Sequence, residues 1–359
     1  MQHDADSQDP VRTEFQPLVE YGWDQQFADA YERQSSPAQI PGRIIRVDRG
    51  MVTAASPVGA IRCHMQRGQE AVAVGDWICI EQSPGAEFVI ASLLPRRTAI
   101  TRADPLNNRS QVLAANVDLV LMMHGLDRDL RSGRVERVLV VAREAGATPI
   151  LLLTKSDLAP GKTDAAVAEA TGAFPGVEVL VVSSETGAGI ETVAEKIGPG
   201  ITAVAIGESG VGKSTLANRL LGSEDLDTGF TRTDGAGRHT TTVRELIPLP
   251  TGGVLIDTPG LRALGLWEGE AGVAEVFADI EALAQECRFR DCGHGQEPGC
   301  EVAAAVTDGR LTEVRLESYQ RLQEELDHQA KRADERSRRA ELKPQGKAPK
   351  PGKSDKEVF

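Results

Sequence analysis

Residues 207–214 read GESGVGKS, three glycines, a lysine and a hydroxyl at the spacing of a phosphate-binding loop. The apolar run ITAVAIG leads into them and STLANRLLG leads out, so the loop is expected to join a strand to a helix. Gly207, Gly210 and Gly212 let the backbone turn tightly and aim amide N–H groups at phosphate oxygens. Lys213 is placed to meet the β- and γ-phosphates, and Ser214 to ligate Mg²⁺. Glu208, Ser209, Val211 and Thr215 complete the set expected around the phosphates, and the helix N-terminus adds its partial positive charge.

Downstream, DTPG (257–260) ends the run GGVLIDT. Asp257 is expected to hold Mg²⁺ through water, and the Gly260 amide to reach the γ-phosphate. Between the two motifs lies GAGRHTTT (235–242), where Thr240 or Thr241 is expected to ligate Mg²⁺; the residues do not choose between them. Many nucleotidases carry a water-orienting Gln after this aspartate motif, but here Leu261 stands there and basal hydrolysis is expected to be slow. His239 is the candidate catalytic group in its place, since an ordered loop would bring its imidazole to the attacking water.

A carboxylate that faces two ring donors distinguishes guanine from adenine. LLLTKSD (151–157) ends a strong apolar run with Thr154, Lys155, Ser156 and Asp157. Lys155 would lie over the base and Asp157 would read it; Thr154 stands where Asn is usual and is expected to weaken, without removing, the contact to the base edge and phosphate loop. One run later, Ser183 and Ser184 of SSETGAG would close over the guanine oxygen. The base motifs therefore precede the phosphate loop, the reverse of the common order, and a permuted chain can build the same site because loops act where they lie in space.

Cys287, Cys292, His294 and Cys300 follow as C-x₄-C-x-H-x₅-C. Three thiolates and an imidazole fill a tetrahedral shell and favour one structural Zn²⁺ per chain. Cys63 and Cys79 fall in β-rich runs and read as small buried residues, His64 reads as a surface strand residue, and His124 has no evident partner.

These motifs need a scaffold. Residues 38–102 hold short β-rich runs separated by turns, which predicts a small closed barrel of OB-like type. Residues 103–268 alternate strand and helix, an α/β P-loop domain with a parallel sheet and one hairpin at residues 243–257. Residues 269–328 read as a small helical domain around the Cys/His cluster. The acidic stretch 1–37 reads as disordered or loosely docked, and the basic stretch 329–359 as disordered. The net charge of −13 argues against indiscriminate nucleic-acid binding without excluding a local basic face. No run reaches membrane-spanning length and the first residues do not read as a leader; with five Cys among 359 residues the cytoplasm is the default expectation.

AANVD (114–118), TKSD (154–157), SSETGAG (183–189), GESGVGKST (207–215), GRHTTT (237–242), DTPG (257–260) and the Cys/His cluster together resemble one family. It is the circularly permuted GTPases of the ribosome-small-subunit-dependent GTPase A type, over residues 40–325. The resemblance implies an OB-fold, a permuted GTPase domain and a zinc domain. It also implies GTP hydrolysis late in maturation of the small ribosomal subunit, with contacts to its rRNA and stimulation by the subunit. A monomer that exchanges GTP for GDP is the expected state. The alternative is a non-hydrolysing or very slow nucleotide-dependent RNA-binding switch, which Leu261 keeps open.

Overall fold

The run from Ile40 to Leu93 forms five strands: β1 (Ile40–Asp48), β2 (Met51–Ser56), β3 (Gly59–His64), β4 (Trp77–Gln82) and β5 (Phe88–Leu93). β1 pairs antiparallel with both β2 and β4, while β3 pairs parallel with β5, so the sheet closes in the order 1-2-3-5-4-1. This is the closed, OB-like barrel that the turn spacing predicts. Ile44, Val52, Ile61, Cys63, Ile78, Ile80 and Ile90 fill it. Cys63 and Cys79 are fully buried, and burial pushes the Cys63 thiol up to about 11. The structure is a computed structural model that describes residues 13–341 apart from 67, 69, 104–109, 131, 223–243, 258–269 and 296.

Of the two readings of residues 1–37, disorder is corrected for the described residues 13–37, which dock on the barrel. Residues 13–15 form a 3₁₀ turn, followed by α1 (Gln16–Val19) and α2 (Gln25–Gln34), with Asp24 capping α2 by accepting from the Phe27 N–H at 3.1 Å. Phe15, Leu18, Trp23, Phe27 and Tyr31 are buried against Trp77 and Leu94, and the Trp23 and Trp77 rings lie 4.8 Å apart. The acidic side chains dominate the composition here, but aromatic burial of 150–250 Å² per ring outweighs them.

After a hairpin of β6 (Ala99–Ala103) and β7 (Ser110–Ala115), the second domain follows as β8 (Leu119–Gly125), α3 (Ser132–Glu144), β9 (Thr148–Thr154), α4 (Thr163–Ala173), β10 (Glu178–Val181), α5 (Ile190–Lys196), β11 (Thr202–Gly207), α6 (Lys213–Leu221), β12 (Glu245–Pro248) and β13 (Val254–Asp257). The sheet order is β10-β9-β8-β11-β13-β12; its pairs are parallel apart from the β12–β13 hairpin. One face packs α3 and α4, the other α5 and α6. The β6–β7 hairpin was not anticipated, and it straddles the expected boundary at residue 102.

Then come α7 (Glu270–Val276), α8 (Ala278–Ala284), α9 (Glu301–Thr307) and α10 (Glu313–Glu341). α10 corrects the expected disorder from residue 329 for the part it covers. The stretch 313–341 contains no Gly or Pro and is rich in Glu, Gln, Arg and Ala, so helix propensity carries it onward. Among the described residues no helix is long and apolar enough to cross a membrane.

Arg43 of β1 joins the barrel to the sheet domain. Its guanidinium donates to Thr202 Oγ1 at 2.9 Å and to the carbonyls of Tyr21, Gly75 and Asn116. Burial lowers its pKa to about 10, still far above neutrality, so the cation persists. Arg43→Met removes every one of these donors while keeping most of the volume. Unfolding in urea should show a loss of about 2–4 kcal/mol, and a midpoint equal to the wild type's would mean that the junction does not depend on this side chain.

Candidate nucleotide site and metal centre

Parallel strands bring their C-terminal ends to one edge of a sheet, and ligands collect there. Gly207 ends β11 opposite Met123 of β8. A Cβ on Gly207 would stand 2.7 Å from the Met123 carbonyl oxygen, so only glycine fits this close approach. Gly210 and Gly212 take φ values of 76° and 103°, the left-handed region that glycine enters without strain. Val211 is buried and anchors the turn, while Glu208 and Ser209 form its outer limb. Lys213 opens α6 and donates its ammonium protons to the carbonyls of Gly207 at 2.7 Å and Glu208 at 2.8 Å, so it lies across the loop. Ser214 and Thr215 occupy the first turn of α6 behind it.

The base loop reaches the same edge through β9. Thr154 is buried, and its hydroxyl donates to the Val211 carbonyl at 2.8 Å, with the His124 carbonyl at 3.2 Å. The hydroxyl thus supplies a tie to the phosphate loop that the sequence reading expected threonine to weaken. Lys155 adopts φ 60°, a strained conformation for a residue with a side chain, and starts the short 3₁₀ turn Ser156–Leu158 that carries Asp157. Ser183 Oγ donates to Asp157 Oδ1 at 2.5 Å and accepts from the Thr186 N–H at 3.1 Å. Ser183 therefore holds Asp157, and Ser184 lies in the neighbouring loop.

Two further features are absent from the sequence reading. Arg219, on the phosphate-loop helix, donates to the Ser184 carbonyl at 2.5 Å and the Glu185 carbonyl at 2.9 Å, clasping the base-closing loop to α6. The loop after β8 places Asp127 beside Lys155 and Arg128 beside Glu208. Neither follows a local motif, because each contact joins segments distant in sequence. His124 lies in this loop region with Nε2 3.4 Å from the Arg128 carbonyl oxygen, and desolvation lowers its pKa. Asp257 ends β13, which runs parallel to β11 and so finishes at the phosphate-loop edge. Thr240, Thr241, His239, Gly260 and Leu261 lie outside the described residues.

The Cys/His loop forms a second centre. The ligand atoms of Cys287, Cys292, His294 and Cys300 all lie within 4.8 Å of one another. Cys287 Sγ is 3.9 Å from Cys300 Sγ, and His294 Nδ1 is 3.7 and 3.8 Å from those two sulfurs. A tetrahedral ion with metal–sulfur bonds of about 2.3 Å separates such atoms by about 3.5–3.8 Å, so the cluster fits one. His294 sits at φ 58°, and its carbonyl and that of Gly293 accept from Gln320 of α10. Glu297 accepts from the Gly293 and Gly295 amides at 3.0 and 2.8 Å, and such backbone donors hold its carboxyl below the usual range.

Comparison with known proteins agrees with this geometry. The RsgA GTPase family matches residues 93–267, and a family described as 50S ribosome-binding GTPase matches residues 202–337. A protein of Streptomyces avermitilis named small ribosomal subunit biogenesis GTPase RsgA is 46% identical over 331 residues, spanning 90% of this chain and 89% of that one. Its namesake in Opitutus terrae is 43% identical over 347 residues, 90% of this chain and 94% of the other. The crystal structure of YjeQ from Thermotoga maritima aligns with a TM-score of 0.58 at 25% identity, covering 80% of this chain and 98% of its own. YloQ, a circularly permuted GTPase, gives 0.56 at 23% identity over 82% and 97%, a likeness of fold.

Thr154→Val tests the tie between the loops. Valine keeps the shape and removes the donor, leaving the Val211 carbonyl buried with one partner fewer. Nucleotide affinity measured by titration should fall by a factor of about 5–20. Unchanged affinity would show that the two loops hold their spacing without this hydroxyl.

Proposed function

The chain belongs to the RsgA GTPase family and is a GTPase; from that premise we propose that it hydrolyses GTP during late maturation of the small ribosomal subunit, with the subunit as activator and hydrolysis coupled to release. The observation that carries the reading is the meeting of two loops in permuted order. The loop with a carboxylate for guanine and the loop with glycines and a lysine for phosphates are joined at Thr154–Val211 and Arg219–Ser184. The names of the relatives supply the subunit.

In this reading Lys155 covers one face of guanine. Asp157, oriented by Ser183, accepts from the N1–H and the 2-amino group, and Ser184 helps close the loop over the guanine oxygen. Lys213 and the amides of residues 207–215 bind the phosphates. Ser214, Asp257 and either Thr240 or Thr241 are the residues that would hold Mg²⁺, which when bound would supply positive charge to the transferring phosphoryl group, and the Gly260 amide would read the γ-phosphate. In the subunit-bound state His239 is the group read as orienting the attacking water. The four Cys/His side chains hold a structural Zn²⁺, whose role is to fix the loop. The barrel and the metal domain are the surfaces proposed to meet rRNA, and the protein is read as a cytoplasmic monomer.

A turnover assay with purified small subunits, with large subunits and with neither tests this reading. Basal turnover should be slow, and small subunits should raise it by about 10²–10⁴, the range of well-positioned acid–base and orientation effects. Stimulation by large subunits alone would move the partner to the one named in the second family description. No turnover under any condition would leave a nucleotide-dependent RNA-binding switch.

Metal analysis under reducing conditions should give one zinc per chain. Cys292→Ser should lose it and unfold the helices around residues 270–326, because metal binding at such a site is coupled to folding. Protein without zinc that keeps its C-terminal helicity would remove the metal from this account.

A further inference from the structure

Gly125 ends β8 in register with Thr154 of β9, so the loop after it starts beside the base loop. A Cβ on Gly125 would overlap Asp127 Oδ1 and stand 3.7 Å from Lys155 Cδ. The missing side chain is what lets Asp127 fold back along Lys155. There Asp127 Oδ2 accepts from the Lys155 ammonium at 2.8 Å, while Oδ1 lies 3.2 Å from Arg128 Nε. Arg128 Nη1 continues to Glu208 Oε2 at 2.6 Å, and Arg134 of α3 closes on the same carboxylate. Charges thus alternate without a break from the base loop to the phosphate loop: Lys155, Asp127, Arg128, Glu208, Arg134. The side chains of Lys155 and Asp127 are 27% and 28% exposed, so the pair lies at the surface and is only partly covered. Arg128 and then Lys155 hold the Asp127 carboxyl down to about 2, which keeps it charged at any working pH.

We propose that Asp127 is a positioning residue for guanine binding: it pins the Lys155 ammonium so that the lysine methylenes form a platform for the base before the nucleotide arrives. The proposal rests on the guanine-site reading of residues 154–157. The physical reason is rotamer freedom. A lysine stem has four rotatable bonds, and laying it flat on a ring costs entropy unless it is already held. A carboxylate at the far end holds it in the free protein, and binding then loses less. Because Arg128 ties the same carboxylate to Glu208, the platform is also held at a fixed offset from the phosphate loop. An ordinary exposed ion pair would have no such consequence for binding.

The test is a double-mutant cycle on the full chain, with GDP and GTP dissociation constants and the thermal midpoint measured for each protein. Asp127→Asn should weaken GDP and GTP by the same factor, about tenfold, because the platform meets the base that both share. Asp127→Glu should recover most of the affinity. In a Lys155→Gln background, Asp127→Asn should add little. Unchanged affinity, losses that add fully in the double variant, or a loss that tracks a lowered midpoint would each overturn the proposal. Asp157→Asn is run alongside, with GTP and xanthosine triphosphate as ligands. If that variant keeps the wild-type preference for GTP, the guanine reading itself fails. If it switches preference while the Asp127 losses add, only the Asp127 proposal fails.

Discussion

The loop proposed to meet the base and the loop proposed to meet the phosphates must keep one separation to grip a nucleotide at both ends, and the Thr154 hydroxyl on the Val211 carbonyl joins them. The bond is buried, so it is not weakened by competing water. Around it the remaining contacts take their places. Ser183 orients Asp157 from one side, and Arg219 fastens the 184–185 backbone to the phosphate-loop helix from the other. These ties span segments that the chain visits in permuted order, and they work because both β9 and β11 point their C-terminal ends to the same edge of the sheet.

Permutation changes what is attached to that edge. The barrel now precedes β8, and its first strand touches the sheet at Arg46 opposite Glu245, at the start of β12. Arg43 then fixes the barrel, the N-terminal helices, the end of β7 and the start of β11 to one another through a single guanidinium. A buried cation that serves three carbonyls and a hydroxyl fixes an orientation more than it adds stability, since its desolvation offsets most of what the hydrogen bonds return. The junction is therefore one of defined geometry.

Much of the site was legible because its signals are local. The phosphate loop, TKSD, SSETGAG and the Cys/His spacing each sit within a dozen or so residues, and the strand and helix around the phosphate loop follow from apolar period. What escaped is tertiary or masked by composition. Net acidity in residues 1–37 hid the aromatic side chains at 15, 23, 27 and 31 that dock on Trp77. Charge in the last stretch hid a continuous helix former as far as residue 341. Arg219 and Asp127 carry no motif; they matter only once the loops after β10 and β9 are known to pass them. The contact that Thr154 was expected to keep is a hydroxyl donated to the Val211 carbonyl, a partner visible only when the two loops are seen side by side.

The metal centre is bound into the same mechanical path. The α7 helix lies so close to α3 that a Cβ on Gly272 would stand 2.7 Å from the Val140 carbonyl oxygen, and the Gly272 amide donates to Glu144 at 2.8 Å. α10 runs past both. Its Arg315 meets Asp279 at 2.7 Å and Glu136 of α3 at 3.3 Å, its Glu325 meets Arg137 of α3, and its Gln320 holds the Gly293 and His294 carbonyls of the ligand loop. Phe277, Ile280, Val302, Tyr319 and Leu322 share one core with Val135, Leu139 and Val140 of α3. That helix is also the one whose Arg134 closes on Glu208 of the phosphate loop. The Cys/His domain is therefore coupled to the Glu208 loop through packed helices as well as through the chain that follows Asp257. Cores of this kind move as units rather than bend, so a partner that shifts the metal domain shifts α3 with it.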